Sequence, residues 1–286
     1  MLTEKLYKAQ AEAHSSVVLG SEAKRRVAET WLREDTTDYW RHDRMRGEIA
    51  SVLRPGESWI TFGDGRFGTD ATWLQKHGQQ VMCTDIQDEL LAMAKARGHI
   101  ETFCRANAEA LPFASDTFDW GLCKETYHHM PRPAVAFYEM LRVARKGLVL
   151  IEPTPRQPRN LIGRLVLALL SRVYPEQPQF EESGNYVYKL AIDDVQQMLL
   201  GVGLRHFAFK GIVDCYIEGM EFEQLPGPLQ RRGARRIWRE GLLRKLLGIH
   251  GNLGIYVVFK GEAIAADALR ASGFTVVDLP PNPYVR

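Results

Sequence analysis

From Ser58 onward, short apolar runs alternate with stretches of helical pattern: SWITF, DATWLQKHG, QQVMCTD, DELLAMAKARG and HIETFCRA follow one another with almost no spacer. A strand followed by a helix before the next strand begins cannot pair with its successor as a tight hairpin. The chain has to cross over, so this rhythm predicts βαβ units and a parallel sheet. After ALPFASDT the pattern continues, with FDWGLCKE as a fourth strand, PAVAFYEMLRVAR as a helix and GLVLIEP as a fifth strand. Gly147 opens that strand, and Pro153 with Pro155 closes it.

The rhythm breaks over residues 154–190, a span too long for an ordinary connection, and is expected to form an inserted lid that completes an acceptor pocket. Regularity returns over 191–261, where IDDVQQMLLGVG reads as a helix, LRHFAFKGIVDCYI as an extended segment and NLGIYVVFKG as a final strand. A basic helical insertion at about 221–250 interrupts that half. Residues 1–49 form a helical cover, 50–153 the first half of the core, and 262–286 a C-terminal extension with a helix, a short strand and a Pro-rich tail.

With 286 residues, 45% of them hydrophobic and 25% charged, the chain has material for one large domain or two small ones. The net charge of +2 neither demands nor excludes a polyanionic partner, so electrostatic arguments rest on local clusters. Cys83, Cys104, Cys123 and Cys215 show no C-x-x-C spacing, and no metal site is expected. Free thiols suit a reducing, cytoplasmic setting, and the charged N-terminus shows neither a signal nor a transit pattern. The longest apolar run, Leu161 to Tyr174, contains Arg164 and Arg172 and is shorter than the roughly 20 residues of a bilayer span.

The stretch GDGRFG places Gly63, Gly65 and Gly68 between a strand and a helix, where backbone N–H groups and a helix N-terminus meet a ligand without an intervening Cβ. Asp85, closing the second strand in VMCTD, suits the two hydroxyls of a ribose. Both features fit NAD and other adenosine ligands equally.

The residues that follow discriminate. RANAEALPFASDTFDWGLCKETYHHM, from Arg105 to Met130, resembles the core of class I S-adenosylmethionine-dependent methyltransferases of the type 11 kind. YEMLRVARKGLVLIEP extends the likeness to Pro153, and 190–261 follows it in element order only. The resemblance implies a Rossmann-like α/β fold with a seven-stranded, mostly parallel sheet and helices on both faces. It implies that Gly63, Asp64 and Gly65 face the methionine part of S-adenosylmethionine, that Asp85 holds the ribose, and that Ile86 packs on the adenine. Asn107 and the Ala108 backbone would meet the adenine edge, and Lys124 would contribute mainly backbone at the methionine end. The family carries an acid two residues before the first glycine, where this sequence has Thr61. Asp64 or Arg66 is then expected to alter the contacts at the amino-acid end of the cofactor.

KETYHHMPRP places Lys124, Glu125, Tyr127, His128 and His129 at the carboxyl end of the fourth strand, the rim where open α/β sheets bind ligands. His128 or His129 is the candidate general base, because a neutral imidazole is ready to accept a proton near pH 7; the pair alternatively positions the cofactor or caps the turn before Pro131. Tyr127 reads as a pocket wall. Glu152 ends the fifth strand at the same rim and either binds an acceptor or caps the strand end. Tyr39 and Trp40, in the helical cover, either shield the sulfonium or pack their helix on the sheet. Tyr186 and Tyr188 in ESGNYVYKL either stack on an acceptor or mark a half-buried strand.

QRRGARRIWREGLLRKLLG is amphipathic and strongly cationic, and Arg156, Arg159 and Arg164 share its bias. The two segments either flank a site for a phosphorylated acceptor, rest on an anionic membrane surface, or present a solvated face. No nucleic-acid-binding module accompanies them, and nothing in the sequence specifies an oligomeric state. The expected reaction is O-methylation of a small molecule or saccharide. The alternatives are N-methylation, cofactor binding without methyl transfer, and NAD-dependent oxidoreduction.

Overall fold

The computed structural model describes residues 2–20, 22–158, 160–173, 179–181 and 184–284. Three helices come first: α1 (Leu2–Leu19), α2 (Glu22–Thr30) and α3 (Thr37–Gly47). The alternation then runs as the sequence predicts, through β1 (Ser58–Phe62), α4 (Thr69–Lys76), β2 (Gln80–Asp85), α5 (Glu89–Ala96), β3 (Thr102–Arg105) and β4 (Phe118–Lys124). A short 3-10 turn at Tyr127–His129 leads to α6 (Pro133–Val143) and β5 (Ala144–Pro153). The second half contains α7 (Leu161–Val173), α8 (Ile192–Gly201), β6 (His206–Ile212), α9 (Pro228–Leu247), β7 (Leu253–Phe259), α10 (Ala266–Ala271) and β8 (Thr275–Asp278).

All eight strands belong to one sheet, in the order β3-β2-β1-β4-β5-β7-β6-β8. The first five are parallel, whereas β7 runs antiparallel to β5 and β6, and β8 antiparallel to β6. The expected count of seven strands is therefore corrected to eight. The C-terminal extension supplies the additional strand, which pairs His206 with Asp278 through Phe209 with Thr275. Residues 159, 174–178, 182 and 183 of the insertion, including Arg159, lie outside the described residues. No described helix is long and apolar enough to cross a membrane.

Burial explains the strand sequences. Every residue of β4 and β7 is buried, so WGLC within β4 and the whole of LGIYVVF read as continuous apolar runs rather than alternating ones, with Asp119 and Lys124 near the two ends of β4. The edge strands β3 and β8 are four residues each and carry polar ends, which limits further edge pairing. One core cluster contains Trp59, Trp120, Val257 and Phe259, and a second contains Ile60, Phe62, Phe137 and Tyr256. Trp59 and Trp120 stack with centroids 5.7 Å apart, and Phe259 meets Trp120 edge-on at 6.0 Å.

Gly147 is required by this packing. A Cβ there would stand 2.1 Å from the Val258 carbonyl oxygen and 2.7 Å from Trp120, and the backbone oxygen cannot step aside. Gly147→Ala should lower the unfolding free energy by about 2–4 kcal/mol in urea denaturation. Gly241→Ala, in α9 with open space around the added methyl group, should raise it by up to about 1 kcal/mol. Equal effects at the two positions would refute this account of the β5–β7 contact.

Candidate active site

β1 pairs with β2 on one side and β4 on the other, so the chain reverses its direction of winding at β1 and leaves a crevice at the carboxyl ends of these strands. A cavity of about 680 Å³ opens there. That volume falls in the range of about 300–1,000 Å³ found for pockets that enclose small molecules. Its wall includes Gly63, Asp64, Gly65, Asp85 and Ile86 from the β1 and β2 ends, and Asn107, Ala108 and Lys124 beside them. His128 and His129 line the same space.

The glycine loop is shaped by what stands against it. Gly63 has φ of +67°, and a Cβ there would overlap the Thr126 side chain, whose hydroxyl donates to the Gly63 carbonyl at 3.0 Å. A Cβ on Gly65 would come within 2.7 Å of Asp85 Oδ2, so only glycine lets the carboxylate lie against the loop. Asp85 Oδ1 accepts from the Gln87 N–H at 2.9 Å. Asn107 Oδ1 accepts from the Glu109 N–H at 2.9 Å, which orients the amide and leaves Nδ2 as its donor.

Asp64 occupies the N-terminus of α4. Its two oxygens accept from the Asp70 N–H at 3.2 Å and the Ala71 N–H at 2.8 Å. Burial, and secondarily the neighbouring Asp70, push its carboxyl up to about 7. Thr61, within β1, is buried. Asp64 thus takes helix N–H donors of the kind that a diphosphate would require.

Charge continues into the cover. Arg46 Nε donates to Asp70 at 2.8 Å, and the Lys124 amino group lies 3.6 Å from Asp70 and 3.4 Å from Glu125. Lys124 therefore brings a buried ammonium group to the site, not merely backbone as expected. Arg41 reaches Asp38, Asp214 and Glu125 at 3.0, 2.9 and 3.3 Å. Burial alone would raise the Glu125 carboxyl, but Lys124, Arg41 and Arg66 together hold it down to about 2. Glu125 also has φ of +51°, an uncommon conformation for a side-chain-bearing residue at a ligand wall. His42, beside Arg41, is kept neutral by burial and by the neighbouring Lys124 and Arg41 charges.

Glu152 is fully buried and is not part of the cavity wall. Its Oε1 accepts from the Thr126 and Tyr127 N–H groups, both at 2.9 Å, and its Oε2 lies 2.6 Å from His128 Nδ1. Of the two roles open in the sequence, the geometry gives it the capping one, extended to the histidine. Because a carboxylate only accepts, Nδ1 carries the proton and Nε2 is left as the acceptor of the ring. Burial opposes the imidazolium, but Glu152 outweighs it and raises the His128 pKa above the ordinary value. The His129 ring lies 3.9 Å from that of His128, tilted by 45°, with Nδ1 2.8 Å from Glu181. Burial and the neighbouring His128 charge lower its pKa.

Three aromatic expectations change. Tyr39 does not line the cavity; it lies under the Arg46 guanidinium at 5.7 Å, as Trp40 does under Arg44 at 5.3 Å. Tyr7 of α1 and Trp31 line the cavity instead, with Arg41, Arg66 and Lys124 among its cationic side chains. Tyr127 packs into the core rather than the pocket, with Oη 3.8 Å from Met198 Sδ. Tyr186 and Tyr188 meet edge-on at 5.1 Å outside the cavity, which Asn185 lines in their place. Tyr7, Trp31 and Arg41 carried no local motif, so their approach to the site was not legible from spacing.

Residues 60–151 match the family described as "Methyltransferase domain". The match runs from β1 to β5 and takes in about a third of the chain. A segment of 46 residues, 16% of the chain, is 50% identical to 18% of an uncharacterized methyltransferase of Mycobacterium avium. A segment of 92 residues, 31% of the chain, is 35% identical to 32% of an uncharacterized protein of Mycobacterium bovis. The matched regions thus span less than a third of these curated relatives. Among solved structures, the [4+2]-cyclase SpnF superposes with a TM-score of 0.50 at 16% identity, covering 84% of this chain and 81% of the cyclase. A chain from the complex between the Haloferax volcanii Trm112 methyltransferase activator and a methyltransferase gives 0.51 at 14% identity, over 85% and 97%. At these identities the likeness is one of fold.

The charge cluster around Glu125 also governs stability in acid. Glu125 titrates lower folded than unfolded, so its pairing stabilises the fold above the ordinary pKa of 4.5 and is lost as pH falls toward 2. Glu125→Gln should flatten the decline of unfolding free energy between those limits. Identical slopes for the two proteins in acid urea titrations would dismiss the pairing.

Proposed function

We propose that the chain is an S-adenosylmethionine-dependent methyltransferase acting on a hydroxyl of a small molecule or saccharide unit. One observation carries the reading: a cavity that joins an adenosine-type wall to a histidine held by a buried carboxylate. The residues present fit the cofactor. Asp85, lying against the Cβ-free Gly65, would accept the ribose hydroxyls; Ile86 and Ala108 would flank the adenine, with Asn107 Nδ2 donating at its edge. Gly63, Asp64 and Gly65 would border the methionine part. Asp64 already caps α4, which argues against a dinucleotide whose diphosphate needs those N–H groups.

When bound, S-adenosylmethionine supplies an electrophilic methyl group. The protein's part is to hold the acceptor oxygen in line, to exclude water behind Tyr7 and Trp31, and to take the acceptor's proton. His128 Nε2 is the base, and Glu152 is the positioning residue that fixes its tautomer. A nitrogen acceptor is the second reading, favoured by Glu125 and Glu181 on the cavity wall, which suit a cationic amine. Four free cysteines support a cytoplasmic setting, and burial pushes the Cys83 and Cys123 thiols up and out of the nucleophilic range.

Calorimetry with S-adenosylmethionine, S-adenosylhomocysteine and NADH should show binding of the first two only, and Asp85→Ala should abolish it. Binding of NADH alone would overturn the proposal.

His128→Ala should keep cofactor affinity and lower turnover on a hydroxyl acceptor by about 10²–10⁴-fold. Glu152→Gln should approach the same loss, because its amide N–H facing Nδ1 moves the ring proton to Nε2. The wild-type rate should rise with pH through the raised His128 pKa, since only the neutral ring accepts a proton. A flat profile, or two fully active variants, would remove His128 as base.

A further inference from the structure

The insertion helix α7 and the basic helix α9 leave an apolar face uncovered. Leu161, Ile162, Leu165 and Leu169 of α7 are 58–70% exposed, and on α9 Trp238 and Leu246 are 69% and 68% exposed. The two helices meet end to end. Asn160, preceding α7, donates to the Leu246 carbonyl at 3.3 Å, Pro158 bridges Ile249, and Gly163 is so close to the Leu247 carbonyl that a Cβ would reach 2.1 Å. The exposed leucines at the start of α7 and at the end of α9 therefore stand on either side of this junction, and exposed apolar residues grouped in this way mark an interaction surface.

Charge selects what covers it. The sequences of α7 and α9 contain nine of the chain's 37 Lys and Arg and one of its 35 Asp and Glu, so the rest of the chain is net negative although the whole is +2. Their single carboxylate, Glu240, pairs with Arg236 at 3.1 Å and Arg244 at 3.7 Å. Arg164 and Arg172 on α7, and Arg232, Arg235, Arg239 and Lys245 on α9, are exposed around the leucines. Leu and Trp beside a cationic rim, on helices too short or too charged to span a bilayer, match the headgroup boundary of an anionic membrane.

We infer that the α7–α9 face docks this protein on the surface of an anionic lipid bilayer. The helices lie in the interface plane, leucines and Trp238 toward the acyl boundary and arginines among lipid phosphates. The segment bearing α7 lies between two residues of the cavity wall, Pro153 and Glu181. The inference concerns binding and does not require methyl transfer.

Flotation of the full chain with vesicles of phosphatidylcholine alone, and of phosphatidylcholine mixed with phosphatidylglycerol, tests it. The protein should float at least about tenfold more with the anionic vesicles, and rising salt should release it. The double variant Leu165→Asp, Leu246→Asp, at exposed positions that leave the circular dichroism spectrum unchanged, should lower binding about tenfold or more. Arg232→Glu with Arg235→Glu should lower it on anionic vesicles only. No preference for anionic vesicles, or full binding by the leucine double variant, would overturn the inference. So would a dimer in vesicle-free sedimentation that the leucine double variant converts to monomer, because the face would then belong to a second copy of the chain.

Discussion

Strands at the centre of a sheet covered on both faces have little but their ends at which to place charge. β4 and β7 are buried along their whole length, and the acids of this site follow from that constraint: Asp85 ends β2, Asp64 and Glu125 sit just past β1 and β4, and Glu152 stands next to the end of β5. Each such group meets a low-dielectric wall and needs a partner. Asp64 finds helix N–H groups, Glu125 finds Lys124 and Arg41, and Glu152 finds two backbone donors and an imidazole. The site is the sum of these compensations, and its shape is set by them.

The compensation reaches across the fold. Arg41 and Arg46 come from α3, yet their carboxylates lie on the loop after β4, on the stretch after β6 and at the start of α4. The helical cover is thereby tied to the sheet by buried ion pairs as well as by apolar packing. Removing one member would strand its partner's charge, which is far more costly than the net worth of the pair. The same N-terminal cover brings Tyr7 of α1 and Trp31, just past α2, to the cavity, so the aromatic wall and the basic groups of α3 come from one stretch of the chain.

Much of this was legible along the chain. Strands β1 to β5 and their helices follow from alternation, because a buried parallel strand must be an apolar run and its crossover must be a helix. Gly63, Gly65, Asp85, Ile86, Asn107 and Ala108 line the cavity because each sits on a strand end or the turn after it, a local position that the sequence marks. Tyr39 misled for a physical reason: its ring serves Arg46, and nothing local distinguishes an aromatic stacked under a guanidinium from one facing a ligand. The eighth strand was visible as a short strand, but its partner β6 lies more than 60 residues earlier, beyond the reach of periodicity.

What the sequence by itself determined is the class of fold and the place of the crevice, because both rest on local rules: burial pattern, crossover and the turn chemistry of glycine. Tertiary structure alone decided which of the rim's charged groups point inward and what state they hold. Glu152 was one acid among several until the fold enclosed it beside His128, and Lys124 was expected as backbone until its ammonium group was buried between Asp70 and Glu125. Charge state depends on distance and desolvation between residues far apart in the chain, and neither exists before the chain is folded.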